Sequence, residues 1–440
     1  MSSYHLSLSE QEILSDRLNN LVRYLLENFV FYQDAFKSVE KITIDSLADM
    51  ANFPTLDKLH PGVLTLVNQV LANTPPAYFE TSGTSGNPFP VIPDLGSERS
   101  IEFANFIAEW LSLGDCKINR AVIALPFEMN PIGLKYLMAL NRLNITAIPV
   151  GVKTHLCSPK KVLDVFQRLQ PELLIARPLE TLRYAEAMIA EGINPATSSI
   201  KKIIMTGEIV SQAKFERISR LYGGADVRCV YGLTEVDSGG LVSCSRYQYH
   251  LPSIPYLMVE LLKNDFKTPV TEEGEVGHIL LTNTHKNYMP LFRYKTGDFG
   301  KLQHNCGCEF KTPVINVMGR HSDCIEYQGC QIFPIEIENV LFRRDELASD
   351  YQIISDHGEI RLRLELMYAL KPDAINLLTD QIRTDIYNEL GIKIHDIDLL
   401  MPGELANKLG IAKNKAGTLY RLDGLSKHQK EACLKVNYDC

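Results

Sequence analysis

Asp226-Val-Arg-Cys-Val-Tyr-Gly-Leu-Thr-Glu235 places a short apolar-rich run directly ahead of a glycine, a threonine and a carboxylate. Residues 226–231 read as a buried strand, and ligands of parallel sheets bind just past the C-terminal ends of such strands. Thr234 and Glu235 stand at that point, where a carboxylate could hold Mg2+ against phosphate oxygens. Moving N-terminally, strand and helix signals alternate. Arg120 to Leu125, Thr146 to Val150, Leu173 to Ala176 and Lys202 to Met205 read as strands. Helical spacing fills Pro131 to Leu143, Pro159 to Leu169, Leu179 to Ala190 and Ser211 to Leu221. That rhythm implies βαβ units and a mostly parallel, covered sheet.

The rhythm changes after Glu235. Tyr256 to Leu262, Glu275 to Thr282, Leu291 to Tyr294 and Phe299 to Gln303 read as successive strands, implying a smaller antiparallel sheet or barrel. From about residue 320 the pattern becomes strand, helix (Pro334 to Phe342), two strands (Asp350 to Ser355, Arg361 to Tyr368), helix (Pro372 to Leu390) and strand (Ile394 to Leu400). This suggests a compact α+β unit. At the other end, Ile13 to Phe36 carries apolar residues at helical spacing, and Pro54, Pro61, Pro75 and Pro76 punctuate the following segment into short helices and turns.

Three further stretches carry chemistry. Tyr78-Phe-Glu-Thr-Ser-Gly-Thr-Ser-Gly-Asn-Pro88 packs Thr81, Ser82, Gly83, Thr84, Ser85 and Gly86 into one loop. Glycine lets such a backbone approach and wrap phosphate oxygens, although a Ser/Gly linker would look the same. No Gly-Lys-Ser/Thr follows, so it is not a Walker loop. Phe292-Arg-Tyr-Lys-Thr-Gly-Asp298 ends in a carboxylate able to accept from ribose hydroxyls. Gly319-Arg-His-Ser-Asp-Cys-Ile-Glu-Tyr-Gln-Gly329 precedes Phe333-Pro-Ile-Glu-Ile-Glu338. Taken singly, these last two could be Gly-turn hairpins with surface charges.

Composition excludes more than it selects. The 440 residues allow two or three domains at roughly 150 each. Lys+Arg 45 against Asp+Glu 53 gives a net charge of −8, which argues against nucleic acid as a main partner. With 45% hydrophobic and 22% charged residues the chain reads as ordinary globular protein. No apolar run approaches the ~20 residues that span a bilayer. The N-terminus does not read as a secretion signal, and ten cysteines without one suggest a reducing compartment, hence the cytoplasm.

The four motifs, in this order, resemble those of the acyl-adenylate-forming superfamily of acyl-CoA synthetases, adenylation domains and luciferases. The likeness is strongest to the phenylacetate–CoA ligase branch. Leu21-Val-Arg-Tyr-Leu-Leu-Glu-Asn-Phe-Val-Phe-Tyr32 resembles that branch's entry helix, and Glu273-Gly-Glu-Val-Gly-His-Ile-Leu-Leu-Thr282 its barrel segment. The resemblance implies an α/β protein with a large N-terminal domain of mostly parallel sheets, helices and a small β-barrel-like subdomain (1–319). A small mobile α+β domain (320–440) would follow, hinged near Asp323. It implies ATP, Mg2+ and CoA as cofactors, and an aromatic or arylacetic carboxylic acid as substrate. An acyl adenylate forms first and is then transferred to the thiol of CoA. A carrier-protein thiol or an amine is the alternative acceptor. A degenerate adenylate-binding protein is the second alternative, and a homodimer is one assembly to test.

Carried over residue by residue, Thr81 to Gly86 would hold the β/γ-phosphates, Thr234 the α-phosphate and Glu235 the Mg2+. Gly207, Glu208, Tyr231 and Gly232 would frame the adenine, Asp298 the ribose, and Arg320 ribose or phosphate. Phe127, Tyr136 and Gly232 would line the acyl pocket, although Phe127 and Tyr136 read equally well as core. The family's C-terminal lysine is displaced: anchoring Lys413-Asn-Lys-Ala-Gly-Thr-Leu-Tyr-Arg421 on Gly417 and Arg421 puts Thr418 in its place. Lys415 or Lys413 could substitute, or both could be solvated loop residues. Phe89 stands where many relatives carry a lysine in the phosphate loop. Members of the branch also carry a Cys…His…Cys-x-Cys set. Here Cys244, His250, Cys306 and Cys308 would complete a closed, structural zinc shell. Cys116, Cys157, Cys229, Cys324, Cys330, Cys433 and Cys440 would be bystanders.

Overall fold

The computed structural model describes residues 8–73, 77–81, 88–93, 95–96, 101, 103–105, 107–109, 116–152, 157–236, 238–251, 257–284, 288–308, 310, 312–405 and 418–423. Ser82 to Gly86, Lys413, Lys415, Cys433 and Cys440 lie outside them.

The expected N-terminal helix is two helices, α1 (Leu8–Asn28) and α2 (Val30–Ala35). Phe29 adopts an extended conformation between them. Asn28 and Val30 are both hydrogen-bonded there by the Gln69 side chain of α3 (Val63–Ala72). Tyr32 anchors the pair, its buried phenol donating to the Pro290 carbonyl at 2.7 Å. A short hairpin, β1 (Phe79–Glu80) and β2 (Pro90–Val91), follows.

The βαβ rhythm is realised as read. Strands β3 (Arg120–Ala124), β4 (Thr146–Pro149), β5 (Leu173–Ala176), β6 (Lys202–Thr206) and β7 (Asp226–Leu233) pair in parallel in the order β4-β3-β5-β6-β7. β5 and β6 are buried along their whole length, as a sheet covered on both faces requires. The connecting helices are α4 (Ile132–Arg142), α5 (Pro159–Leu169), α6 (Pro178–Ala190) and α7 (Gln212–Leu221). Ser158 and Ser211 cap α5 and α7, their hydroxyls accepting from the N–H groups of Lys161 and Lys214.

The expected barrel is not a separate closed body. β8 (Ser238–Ser243) turns antiparallel onto β7, and β9 (Tyr249–His250) follows it. β10 (Leu257–Leu262), β11 (Val276–Asn283), β12 (Tyr294–Gln303) and β13 (Val314–Arg320) then extend the same sheet to eleven strands. β10 and β4 are its two ends, so among the described residues the strands do not close. The strand expected at Leu291 to Tyr294 is not formed before Tyr294; β12 begins there and runs through Lys295-Thr-Gly-Asp298 into the strand expected at Phe299 to Gln303. Thr296 makes this possible, its hydroxyl accepting from Asp298 N–H and donating to the Ile279 carbonyl across the ladder.

The C-terminal α+β unit is present. A hairpin of β14 (Ile325–Tyr327) and β15 (Cys330–Ile332) leads into α8 (Pro334–Leu341). A four-stranded sheet follows in the order β18-β17-β16-β19, from β16 (Leu347–Asp356), β17 (Glu359–Leu366), β18 (Ile394–Leu400) and β19 (Thr418–Arg421). α9 (Pro372–Leu390) connects β17 to β18 and ends at Gly391, whose φ of +68° is the usual glycine C-cap. No helix among the described residues is long and apolar enough to cross a membrane.

Candidate active site

β6 and β7 end side by side, and their last residues build the floor of the site. The Thr206 hydroxyl donates to the Val230 carbonyl at 3.1 Å, tying the two strand ends together. β6 then turns through Gly207, at φ +86°, into Glu208 and the start of α7. β7 continues through Tyr231 and Gly232 into a 3-10 turn at Thr234–Val236 that carries Glu235.

Across from β7, Asp298 of β12 faces Arg320 of β13 as a paired position in the antiparallel ladder. The Tyr231 phenol donates to Asp298 Oδ2 at 2.7 Å, and Arg320 Nε lies 3.8 Å from Asp298 Oδ1. Tyr231 and Asp298 are both buried. Burial, with the Asp298 charge beside it, holds the Tyr231 phenol well above its ordinary pKa, so it serves as a fixed donor. Tyr231, Thr234, Glu235, Asp298 and Arg320 therefore converge from three chain segments. Burial pushes the Glu235 carboxyl up, against the opposing pull of its own backbone N–H, Arg320 and Lys58. A partly buried carboxylate within reach of cations suits a site that takes up a cation with its ligand.

Lys58 was not anticipated. Leu56 bridges to Tyr294 at the start of β12, which brings the turn after Pro54 alongside Glu235. Nothing in the local sequence marks that lysine; only the ladder position of Leu56 reveals it.

The base of the Thr81–Gly86 loop is built on its two flanks. Thr81 N–H donates to the Phe89 carbonyl, and Phe89 N–H donates to the Thr81 hydroxyl, both at 2.9 Å. Phe89 is buried against Tyr294, ring centroids 6.1 Å apart, which gives the residue in the usual lysine position a core role.

At the far end of β13, Val314 pairs with His250. There His250 Nε2 lies 3.1 Å from Cys306 Sγ and 3.2 Å from Cys308 Sγ, and Cys244 Sγ lies 3.8 Å from Cys306 Sγ. All four donor atoms fall within 4.8 Å of one another. Thiolates at about 2.3 Å from a tetrahedral zinc are themselves just under 4 Å apart, so the set fits the ion. His250 Nδ1 meets the Thr312 carbonyl at 2.7 Å, the second hydrogen bond that turns Nε2 towards a metal. Six residue steps of strand, roughly 20 Å, separate this cluster from Arg320.

Residues 329–415 match the family of AMP-binding enzyme C-terminal domains. The phenylacetate-coenzyme A ligase of Aromatoleum evansii is 24% identical over 404 residues, covering 86% of this chain and 88% of that protein. A 2-hydroxyisobutyryl-CoA ligase in the postadenylation state with 2-HIB-AMP superposes at TM-score 0.80 and 18% identity, over 98% of this chain and 93% of that one. The same ligase in the thioesterification state, with 2-HIB-AMP and CoA, superposes at 0.63 and 19% identity, over 95% and 91%.

The chain has the fold of these CoA ligase structures.

Within this fold, the residues named from the motifs fall into two groups. Gly207, Glu208, Tyr231, Gly232, Thr234, Glu235, Asp298 and Arg320 share one end of the large sheet. Tyr136 does not open onto it: it is fully buried in the layer beneath, its ring 5.1 Å from Phe103. Phe127 is partly buried and lies against Gly133 of α4, where any Cβ would strike the Pro126 carbonyl at 2.6 Å. Asp323 is exposed in a 3-10 turn at His321–Asp323, immediately after β13. Thr418 begins β19, paired with Gln352. Of the remaining cysteines, Cys229 is buried and its thiol is pushed up to about 12, which removes it as a nucleophile.

Proposed function

We propose that this protein activates a carboxylic acid with ATP to an acyl adenylate and passes the acyl group to the thiol of CoA. The convergence of Tyr231, Glu235, Asp298 and Arg320 beyond the parallel strands carries this reading. Phenylacetate-coenzyme A ligases along most of the chain, and ligase structures holding acyl adenylate and CoA, support it.

The chain's own residues have distinct tasks. Asp298, held by Tyr231 and Arg320, accepts from the ribose hydroxyls. Gly207 and Glu208 border the adenine, with Gly207 allowing the backbone to turn under it. Thr81 to Gly86 wrap the β- and γ-phosphates with backbone N–H groups, and Lys58 supplies the positive charge that Phe89 does not. Thr234 donates to the α-phosphate. Glu235 holds the Mg2+, which screens charge on the phosphates so that the acid's carboxylate can approach. With the reactants positioned, the carboxylate oxygen bonds to the α-phosphorus and the bond to pyrophosphate breaks. In the second step the CoA sulfur bonds to the acyl carbon and AMP leaves. Lys415 is the cation for the first step, and the C-terminal unit from residue 320 turns about Asp323 between the two.

The acid is aromatic or arylacetic, flanked by Phe127 and Gly232, and the enzyme works in the cytoplasm. Cys244, His250, Cys306 and Cys308 hold one structural zinc. Pyrophosphate exchange across a panel of aromatic, arylacetic and short hydroxy acids, followed by thioester detection with CoA, tests this. Exchange with an aromatic acid and thioester with CoA is the expected result. Exchange followed by transfer only to a carrier protein or amine reassigns the acceptor, and no exchange with any acid overturns the reading.

A further inference from the structure

The C-terminal unit is fastened to the large body by a set of buried charges unrelated to the adenylate site. Glu338 of α8 points at the N-terminus of α7: its Oε1 accepts from Ser211 N–H at 3.3 Å, and its Oε2 lies 2.5 Å from Lys214 Nζ. The neighbouring Asn339 accepts from Ala213 N–H at 3.0 Å. The first N–H groups of a helix have no partner within it, and the helix end carries partial positive charge. Here part of that demand is met from the other unit. Tyr351 of β16 completes the arrangement, its phenol donating to Glu338 Oε2 at 2.7 Å.

A second group of contacts lies on α6. Arg183 donates to Asp350 Oδ1 at 2.8 Å, and Glu186 accepts from Ser349 through both its N–H (2.7 Å) and its hydroxyl (3.0 Å). From α7, Arg217 donates to the carbonyl of Leu347. Lys214, Arg217, Glu338, Ser349, Asp350 and Tyr351 are all buried in this arrangement. When such charges separate, each returns to water, so the contact can be remade and undone at far lower cost than an equal area of apolar core. The segment that ends at Ser211 begins at Thr206 and Gly207, the turn that borders the adenine. The latch and the nucleotide turn are therefore one continuous piece of chain.

We propose that Glu338 and Asp350 are positioning residues that lock the C-terminal unit onto α6 and α7 for the adenylation half-reaction and let go for thioester formation. The proposal rests on the two-step function above. It accords with the better superposition on the neighbouring ligase's postadenylation form than on its thioesterification form.

The test compares the full-length wild type with Glu338→Gln and Asp350→Asn, isosteres that remove charge while keeping shape. Hydrogen exchange is read over 211–215 and 347–352, with strand 202–206 as internal reference. Pyrophosphate exchange reports the first half-reaction, and thioester formation from supplied acyl adenylate reports the second. The expected result is at least ~10-fold faster amide exchange in the two latch segments alone. Pyrophosphate exchange should fall ~10-fold, with thioester formation unchanged or faster. Unaltered exchange in both variants, or an equal loss in both half-reactions, overturns the proposal. If the wild type gives no pyrophosphate exchange with any acid, the function falls, while the amide-exchange arm still decides whether the latch exists. Should Glu338→Gln fail to fold, Asp350→Asn decides alone.

Discussion

Tyr231 and Asp298, 67 residues apart in the chain, share a buried 2.7 Å hydrogen bond that joins the last parallel strand of the large sheet to its antiparallel extension. The bond orients the carboxylate that Arg320 approaches from the other side. Hydrogen bonds to a buried charged group contribute about 1.5–3 kcal/mol. Tyr231→Phe is thus expected to lower unfolding free energy by about 2 kcal/mol and to raise the KM for ATP more than it lowers kcat. Denaturant unfolding and ATP-dependent exchange kinetics measure the two effects, and an unchanged KM would remove Asp298 from the ribose site.

Glu235 gives a prediction with opposite signs for stability and activity. Its carboxyl is held above the ordinary range by burial, so its folded pKa exceeds its unfolded one. A group raised in this way stabilises the fold below its unfolded pKa, and that contribution is lost as pH rises through the folded pKa. At pH 7 the ionised carboxylate therefore costs the ligand-free protein stability. Glu235→Gln should melt at the same temperature or higher at pH 7, with the gap closing below about pH 4.3. Its pyrophosphate exchange should fall by ~100-fold or more. A variant of full activity would exclude Glu235 from holding Mg2+.

The cysteine cluster predicts a metal that matters for folding and not for turnover. Purified protein should contain about one zinc per chain, and Cys306→Ser should lose it and melt at a lower temperature. Because the cluster and Arg320 sit at opposite ends of β13, ATP affinity of the folded fraction should hold. Metal analysis finding no zinc in a fully stable protein would refute the site.

Lys58 and Lys415 are distinguished by what they do within the adenylation half-reaction, one in binding ATP and the other in the chemical step. Lys58→Met should weaken ATP binding, seen as a rise in KM of ~10-fold, because the cation approaches from the fixed turn beside Tyr294. Lys415→Ala should slow pyrophosphate exchange while leaving thioester formation from supplied acyl adenylate intact. If Lys415→Ala behaves as wild type and Lys413→Ala does not, the register shifts by two residues. If neither matters, no lysine of this segment serves adenylation.

Periodicity made the five parallel strands and their helices legible, and Pro372–Leu390 and Ile394–Leu400 were readable to the residue. β8 escaped because Ser238-Gly-Gly-Leu-Val-Ser243 has few residues of strand propensity, and it exists because β7 offers it a ladder edge. β12 reads as starting only at Phe299 because Lys295-Thr-Gly-Asp298 breaks the apolar alternation. The Cys244–His250–Cys306–Cys308 cluster could be named because cysteine and histidine are uncommon and chemically specific. The latch could not: Lys214, Glu338 and Asp350 look like any solvated surface charge until two elements more than a hundred residues apart are docked.

The sequence by itself determined the alternation of strands and helices, the order of the four motif segments and the candidate Cys/His metal donors, because these depend on residue type and local spacing. Tertiary structure alone decided that the antiparallel strands extend one sheet, which does not close among the described residues. It also decided that Tyr231 meets Asp298, that Lys58 joins Glu235, and that Glu338 caps a helix of the other unit. Those outcomes depend on which backbone edges and helix ends remain unpaired once the core has packed, and no local stretch of chain carries that information.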